Sequence, residues 1–321
     1  MKKNLLISST LIVLVGLFII SCAKENLKAT KSIQNNTIEK TSVNPNVLDC
    51  GTGYHWDYGL KKCVANNCQS GYHWDGTQGK CVFTQITVIT NSNNPDDSAG
   101  ARHNQAVNSI MGEVSSDNSI DEIIQFTLNY LKPFNYDTTE LRSDYNLSVS
   151  LGTFGYTNVD SLANKMYAIS EISSAAKNYM LDLSSLLENV IGENDPTDSI
   201  YITFADDATS YEGTIAIDNS LPANEKTMLL SAFSVARYSA AYWGNYIQNN
   251  SSVGLMSSNL TEVELLKLSK FWKKVIGADA AGAITGSGAA IETSKSVVRG
   301  GIFGAIIGSV STAVKELVSP S

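Results

Sequence analysis

Histidine and basic residues are scarce in this sequence, and each scarcity excludes a class of function. Only 3 of the 321 residues are His, and 23 Lys and Arg stand against 31 Asp and Glu, a formal charge of -8. Such a chain has no sequence-wide basic surface, so we expect no nucleic-acid partner. Its composition, 43% hydrophobic and 17% charged, is typical of a soluble, folded, α-rich protein and argues against a disordered, collagen-like or polytopic membrane protein.

Familiar catalytic motifs are missing as well. His103 is the only His outside the Cys repeats described below, and the chain has no H-E-x-x-H, G-x-S-x-G or P-loop spacing. Residues 282–288 match G-x3-G-x-G, a nucleotide-binding spacing, but they follow an amphipathic helix where that fold requires a strand. We therefore expect no cofactor, and an enzyme is the less favoured class.

Two acidic clusters are candidates for a carboxylate pair or a calcium site. Asp195 and Asp198 form one cluster, and Asp206 and Asp207 form the other. Runs of this kind are more often solvated loop residues. We predict no metal site.

The N-terminus has the pattern of an export signal. Lys2 and Lys3 precede an apolar run over residues 5–20, which ends in Ile-Ile-Ser-Cys at residues 19–22. The run is shorter than the roughly 20 apolar residues of a membrane-spanning helix. It therefore predicts a cleaved signal peptide over residues 1–21.

Ile-Ile-Ser-Cys resembles the bacterial lipobox, and Lys24-Glu25 resembles the export tag of surface lipoproteins in the Bacteroidota. The resemblance implies lipid, such as palmitate, on Cys22, which would tether the chain to a membrane without a spanning helix. It implies the cell envelope, with the outer membrane favoured and the membrane face undecided. The alternative is an ordinary signal peptide followed by an unpaired Cys.

Residues 50–82 contain a duplicated unit. Both copies contain a Cys, the run Gly-Tyr-His-Trp-Asp and a final Lys-Cys-Val. Since each copy holds two Cys, the simplest disulfide pairs are Cys50 with Cys63 and Cys68 with Cys81, and each would stabilise its short loop by about 3 kcal/mol. Two other connectivities, and a zinc site with unusual ligand spacing, are the alternatives.

Aromatic residues in the two copies suggest a binding role. The candidate glycan-binding residues are Tyr54, Trp56, Tyr72 and Trp74. The C-x2-G-x-x-W-D-x5-C spacing resembles the last part of peritrophin-type chitin-binding modules, although the other Cys of that family are missing. His55 and His73 occupy equivalent positions and are interpreted as packing or turn residues. The alternative is a disulfide-stapled spacer or a knot that contacts another protein.

Helical periodicity dominates after a β-like run over residues 82–90 and a turn-rich linker. Predicted helices run from about Ile120 to Pro133, from Val159 to Ile191, from Pro222 through Tyr246, and from a capping box at Thr261. Residues 199–204 are a candidate short strand. Together these segments predict an α-helical domain.

The C-terminal stretch is rich in Gly and Ala. Residues 277–314 contain only four charged residues, and two sets of small residues recur every four positions, Ala278, Gly282 and Gly286 and then Gly300, Gly304 and Gly308. This spacing places small residues along one helix face and favours close contact between two helices. The predicted helix-packing residues are Gly282, Gly286, Gly300, Gly304 and Gly308. A break at Ser287-Gly288 and a polar connection after Glu292 predict a helical hairpin.

This stretch resembles the Gly-zipper hairpins of envelope proteins and the mature part of some class II bacteriocins. The resemblance implies one of two roles. The hairpin either packs against the preceding helices or inserts into a target membrane, where Asp279 and Arg299 would be costly.

The expected fold class is mainly α: a helical bundle with a Gly-rich C-terminal hairpin, preceded by two small disulfide-stapled repeats. The expected segments are a signal peptide (1–21), a tether (22–49), the repeats (50–82), a linker (83–100), the helical domain (101–276) and the hairpin (277–318). The expected function is that of a lipid-anchored envelope protein with a structural or binding role and an envelope glycan or protein as partner. The alternatives are a membrane-active protein and a glycan-binding surface lipoprotein.

Overall fold

A computed structural model gives the fold of most of the chain after residue 53. It describes residues 54–57, 62–65, 72–75, 80–115, 117–192, 194, 196–249 and 262–318. The signal peptide, the tether, Cys22, Cys50 and Cys68 lie outside the described residues. Within them the fold is mainly α, as predicted.

The duplicated unit is a β-hairpin. Strands β1 (Tyr54–Asp57) and β2 (Lys62–Ala65) pair antiparallel, as do β3 (Tyr72–Asp75) and β4 (Lys80–Phe83). The register is the same in both copies, because Trp56 lies opposite Cys63 and Trp74 lies opposite Cys81. The sequence repeat is therefore a repeat of backbone structure.

Nine α-helices follow in the part of the chain that the structure describes. They are α1 (Ser98–Ile110), α2 (Ile120–Leu131), α3 (Thr138–Leu151), α4 (Val159–Ala168), α5 (Ser174–Leu186), α6 (Asp198–Ile217), α7 (Ala223–Asn249), α8 (Glu262–Glu292) and α9 (Val297–Val318). A 3-10 turn, Lys132–Phe134, follows α2, and a π-helical turn, Leu187–Ile191, follows α5.

Helix starts follow local side-chain chemistry. Ser119 and Glu122 form a reciprocal capping box at α2, which satisfies backbone N–H groups that have no partner inside the helix. Single polar side chains cap the next four helices: Asp137, Asn158, Ser173 and Thr197. Each accepts a hydrogen bond from a backbone N–H of the first turn, which fixes where the helix begins.

The predicted helix from Val159 to Ile191 is wrong as one element. It is divided between α4 and α5 by a turn in which Ser170 has a φ of 62°. The apolar period continues across this turn, but Ser173 caps α5 and its hydroxyl donates to Glu225 at 2.5 Å. A contact with α7 thus helps to hold a break that local periodicity conceals.

Two predicted β segments also differ from the structure. The candidate strand at 199–204 is the start of α6, where Thr197 caps the helix and Tyr201 and Phe204 are buried one turn apart. After β4, residues 84–90 form no regular element. There the backbone of Ile86 bonds to the side-chain amide of Asn245 and the Ile89 N–H donates to the Tyr201 hydroxyl, so helix side chains replace a neighbouring strand.

Helices α8 and α9 form an antiparallel hairpin in close backbone contact. Gly282 faces Gly304, Gly286 faces Gly300, and the contact of Gly308 is Ala278. A Cβ placed on Gly308 would lie 2.5 Å from the Ala278 carbonyl oxygen, and those on the four other glycines would overlap the facing backbone. A side chain at any of these five positions would push the two helices apart, so this close backbone contact requires glycine.

The expected break at Ser287-Gly288 is wrong, because α8 continues to Glu292. Ser287 is buried and donates its hydroxyl hydrogen bond to the Val297 carbonyl across the hairpin at 3.0 Å. The chain reverses later, where Ser294 takes a φ of 57° and the Lys295 N–H bonds to the Ala290 carbonyl. The proposed boundary at 276/277 therefore falls inside α8.

Five other helices of the described part of the chain pack against this hairpin. Helix α7 packs along α8 and also touches α9, while α1, α2, α3 and α4 contact one or both helices of the hairpin. Among the described residues, one helix segment, Val297–Glu316, is long and apolar enough to cross a membrane, and 67% of its most apolar stretch is buried. A core helix of a folded domain has the same composition.

The glycine contact generates a matched pair of substitutions. Gly304→Ala should lower the free energy of unfolding by about 1–3 kcal/mol, because the new Cβ overlaps the Gly282 backbone. Gly213→Ala is the control on α6, where an added Cβ meets nothing within 4 Å, and it should raise stability by up to about 1 kcal/mol. Chemical denaturation of both variants measures the difference. Equal stability of Gly304→Ala and the wild type would contradict the contact.

Candidate functional site

The described structure places some of the predicted site residues. Tyr54 on β1 is 53% exposed, and Cys63 on β2 is also exposed. The five predicted glycines lie in the contact between α8 and α9. The two disulfides and the lipid site at Cys22 stay predictions, because Cys22, Cys50 and Cys68 are outside the described residues.

Strand periodicity relates the aromatic residues to one another. Tyr54 and Trp56 are two positions apart on β1, and Tyr72 and Trp74 are two apart on β3. Alternate residues of a strand belong to the same face. Each hairpin backbone therefore assigns its Tyr and its Trp to one face.

A buried charge cluster centres on Arg237 of α7, whose side chain is fully buried. Its Nη2 donates to both carboxylate oxygens of Glu212 at 3.0 and 3.2 Å and also to Asp97, and its Nη1 donates to the Ile89 carbonyl. Asn91 donates to the same Glu212 carboxylate at 2.5 Å. The cluster joins the segment before α1 to α6 and α7.

Burial and charge oppose each other in this cluster. Burial raises the pKa of the Glu212 carboxyl, and Arg237 and Asn91 counteract that rise. Burial lowers the pKa of Arg237, but Glu212 and Asp97 more than offset this effect, so its pKa is raised. A buried guanidinium with two carboxylates and a carbonyl around it is an internal cross-link whose removal leaves charges unpaired.

A second cluster joins four helices around Asp279 of α8. Trp243 of α7 donates its indole N–H to Asp279 Oδ2 and to Ser309 Oγ of α9, both at 3.2 Å. Ser239 of α7 donates to the same carboxylate oxygen, and His103 Nε2 of α1 lies 3.7 Å from it. All five side chains are buried.

Burial favours uncharged forms of both titratable groups in this cluster. It raises the pKa of Asp279 to about 8, although Ser239, Ser309 and Trp243 oppose the shift by hydrogen bonding. It lowers the pKa of His103 to about 4. At neutral pH the carboxyl therefore keeps its proton and the imidazole is neutral.

The Ser239, Asp279 and His103 arrangement does not have the geometry of a nucleophilic site. A Ser nucleophile must hydrogen-bond to its basic partner, whereas the Ser239 hydroxyl donates to Asp279. The three side chains are also shielded from solvent. Their chemistry suits a core contact in which hydrogen bonds hold α7 against the hairpin and His103 of α1 packs beside them.

The described members of the acidic clusters named from the sequence all belong to α6. Asp198 lies in the first turn of α6, and Asp206 and Asp207 lie exposed within α6. Asp195 lies outside the described residues. Among the residues that the structure describes, no group of three or more His, Cys, Asp and Glu is placed to hold a metal ion.

Sequence reasoning missed both buried clusters. The available signal was a charged residue inside an apolar helix: Arg237 follows the run from Met228 to Ala236, and Asp279 lies among Gly and Ala. Such a residue is costly to bury alone, so it implies buried partners. Which partners it takes depends on contacts distant in the chain.

No family model, curated protein or solved structure matches this chain.

The raised pKa of Asp279 predicts a pH-dependent stability. In the unfolded chain the carboxyl ionises near its ordinary value of 3.8, whereas in the folded protein it does so only near 8. The protonated Asp279 carboxyl therefore contributes its full stabilisation below pH 3.8, and this contribution is lost as the pH rises from 3.8 through about 8. Between pH 6 and pH 8 the unfolding free energy should fall by about 2 kcal/mol relative to the variant Asp279→Asn.

Denaturant titrations at both pH values measure this difference, and His103 is present in both proteins, so its own titration largely cancels. Asp207→Asn on the exposed face of α6 is the control, and it should follow the pH dependence of the wild type. Parallel pH profiles for Asp279→Asn and the wild type would rule out a protonated Asp279.

Proposed function

We propose that this protein is a lipid-anchored component of the bacterial cell envelope with a structural or binding role. The observation that carries the proposal is the basic start, the apolar run and the Ile-Ile-Ser-Cys ending at Cys22. In this arrangement the lipid on Cys22 holds a polar tether, followed by the two hairpins and the helical domain. The disulfides Cys50–Cys63 and Cys68–Cys81 belong to the same proposal, since export favours oxidation.

The helical domain supports a structural or binding role through the way its ionisable groups are used. Arg237, Glu212, Asp279 and His103 are all buried in contacts between helices. Ionisable side chains in such contacts stabilise the packing of the helices and are shielded from a substrate in solvent. A packed helical bundle behind the proposed tether suits the presentation of binding surfaces away from a membrane.

Replacement of Cys22 tests the anchor. Cys22→Ser removes the thiol that would take the lipid, so the variant should lose metabolic labelling by palmitate and leave the membrane fraction. Cys63→Ser leaves the lipobox intact and should keep both properties. Unchanged labelling of Cys22→Ser would overturn the proposal.

The hairpin repeats supply a second candidate function, glycan binding. The shared register of the two copies, with Tyr and Trp at alternate strand positions, favours it. Aromatic rings on one face of a strand suit stacking on sugar rings. Two equal copies on one chain would also raise the avidity for a repeating polysaccharide.

Retention on insoluble polysaccharide tests this second function. The double variant Trp56→Ala and Trp74→Ala should lose retention on chitin, because both stacking surfaces are removed. Tyr167→Ala is the control, since Tyr167 is a 46% exposed aromatic residue of the helical domain. Retention of the double variant at the level of the wild type would refute glycan binding by the repeats.

The membrane-active alternative requires α8 and α9 to leave the helices around them. The burial of Val297–Glu316, the buried Asp279 and the contacts from α1 and α7 support a hairpin that serves as the core of the domain. We therefore favour the core role for the Gly-rich hairpin.

A further inference from the structure

A surface pocket on the helical domain is lined by two arginines and no acidic residue, although the chain as a whole is acidic. It has a volume of about 410 Å³ and lies among α1, the end of α2, the turn that follows α2 and the start of α9. It is lined by Arg102, Gln105, Tyr130, Leu131, Phe134, Asn135, Tyr136 and Arg299. Its volume lies in the range of small-molecule sites.

The two arginines keep free donor capacity. Arg299 donates one hydrogen bond to the Asn135 carbonyl at 3.3 Å, and its guanidinium lies 5.2 Å from the centre of the Tyr136 ring. Neither Arg102 nor Arg299 pairs with a carboxylate of the described residues, and both side chains are exposed. A guanidinium has five N–H donors in a planar fork that suits carboxylate or phosphate.

The acidic residue that lies next to the pocket lining in the sequence makes its hydrogen bonds outside the pocket. Asp137 follows Tyr136 directly, but its Oδ1 caps α3 by accepting hydrogen bonds from the Thr139 and Glu140 backbone N–H groups. The lining itself contains no acidic side chain. The pocket is therefore locally positive on a protein of formal charge -8.

Aromatic rings form the remaining wall. Tyr130 and Phe134 lie with ring centres 5.4 Å apart, and Phe134 is 58% exposed. The exposed Phe134 ring offers a flat apolar face for stacking. Gln105 and Asn135 add side-chain amides that can bond to hydroxyl groups.

Backbone structure holds this wall in place. Asn135 has a φ of 61° and ends the 3-10 turn, and its two neighbours Phe134 and Tyr136 both line the pocket. Tyr136 is buried and packs against the core, and Leu131 is buried beneath the pocket. Tyr136 and Leu131 are thus held by packing, which reduces the entropic cost of ordering this side of the pocket.

We propose that this pocket binds a small hydroxylated ring that carries one carboxylate or phosphate group, such as an acidic sugar. The anionic group would accept hydrogen bonds from Arg102 and Arg299, and the ring would stack against Phe134 and Tyr130. The amides of Gln105 and Asn135 would bond to ring hydroxyls. This site is separate from the hairpin repeats and does not depend on the anchor at Cys22.

Calorimetric titration of the purified full-length chain tests the proposal. Glucuronate and glucose 6-phosphate are the probes, and they distinguish a carboxylate ligand from a phosphate ligand. At least one of them should bind, and neutral glucose should bind at least tenfold more weakly, because it cannot make charge-assisted hydrogen bonds to the two guanidinium groups. Added salt should weaken the binding of the anionic probe, because it screens the attraction between the probe and the arginines.

The double variant Arg102→Gln and Arg299→Gln should lose at least tenfold in affinity for the anionic probe. Both side chains are exposed, so the fold should persist, and an unchanged denaturation midpoint checks this. Arg142→Gln on α3 is the matched control, since Arg142 pairs with Asp121 outside the pocket and its loss should leave binding unchanged.

Three results would overturn the proposal. These are no binding of either acidic sugar at millimolar concentration, equal affinity for glucose, and undiminished affinity in the folded double variant. Loss of chitin retention or of membrane attachment by other variants has no bearing on this site, so its failure is distinguishable from failure of the proposed function.

Discussion

The backbone contact between α8 and α9 is the constraint on which the rest of the domain depends. Because Gly282, Gly286, Gly300 and Gly304 lack side chains, the two helices approach until their carbonyls face each other's glycines. This closeness fixes the register of the hairpin. It also makes the pair narrow enough for α7 to reach both helices, so that Trp243 bonds to Asp279 and Ser309 together.

Polar contacts in the core add specificity to the packing of the helices. A smooth surface of Gly and Ala can pack against a neighbouring helix in several positions, whereas a buried hydrogen bond is satisfied in few of them. Asp279 ties α7 to the hairpin by hydrogen bonds, and Arg237 ties the segment before α1 to α6. We infer that these clusters select one packing arrangement among several that apolar contacts alone would allow.

Local signals in the sequence predicted the parts of the fold that local chemistry determines. The four-residue glycine spacing and the stop at Pro133 describe single helices, and the structure contains both. The division of α4 from α5, the helical start of α6 and the two buried clusters escaped prediction, because each depends on a distant partner. Ser173 meets Glu225, 52 residues away, and Asp279 meets Ser239, 40 residues away.

The arginines show how the same side chain serves two purposes in one domain. Arg237 is buried and donates hydrogen bonds to Glu212 and Asp97, so its charge stabilises the fold. Arg102 and Arg299 stand at the surface without a carboxylate among the described residues, although the chain has more acids than bases. Two guanidinium groups without a carboxylate partner among the described residues, beside the exposed Phe134 ring, fit the anionic ligand proposed for this pocket.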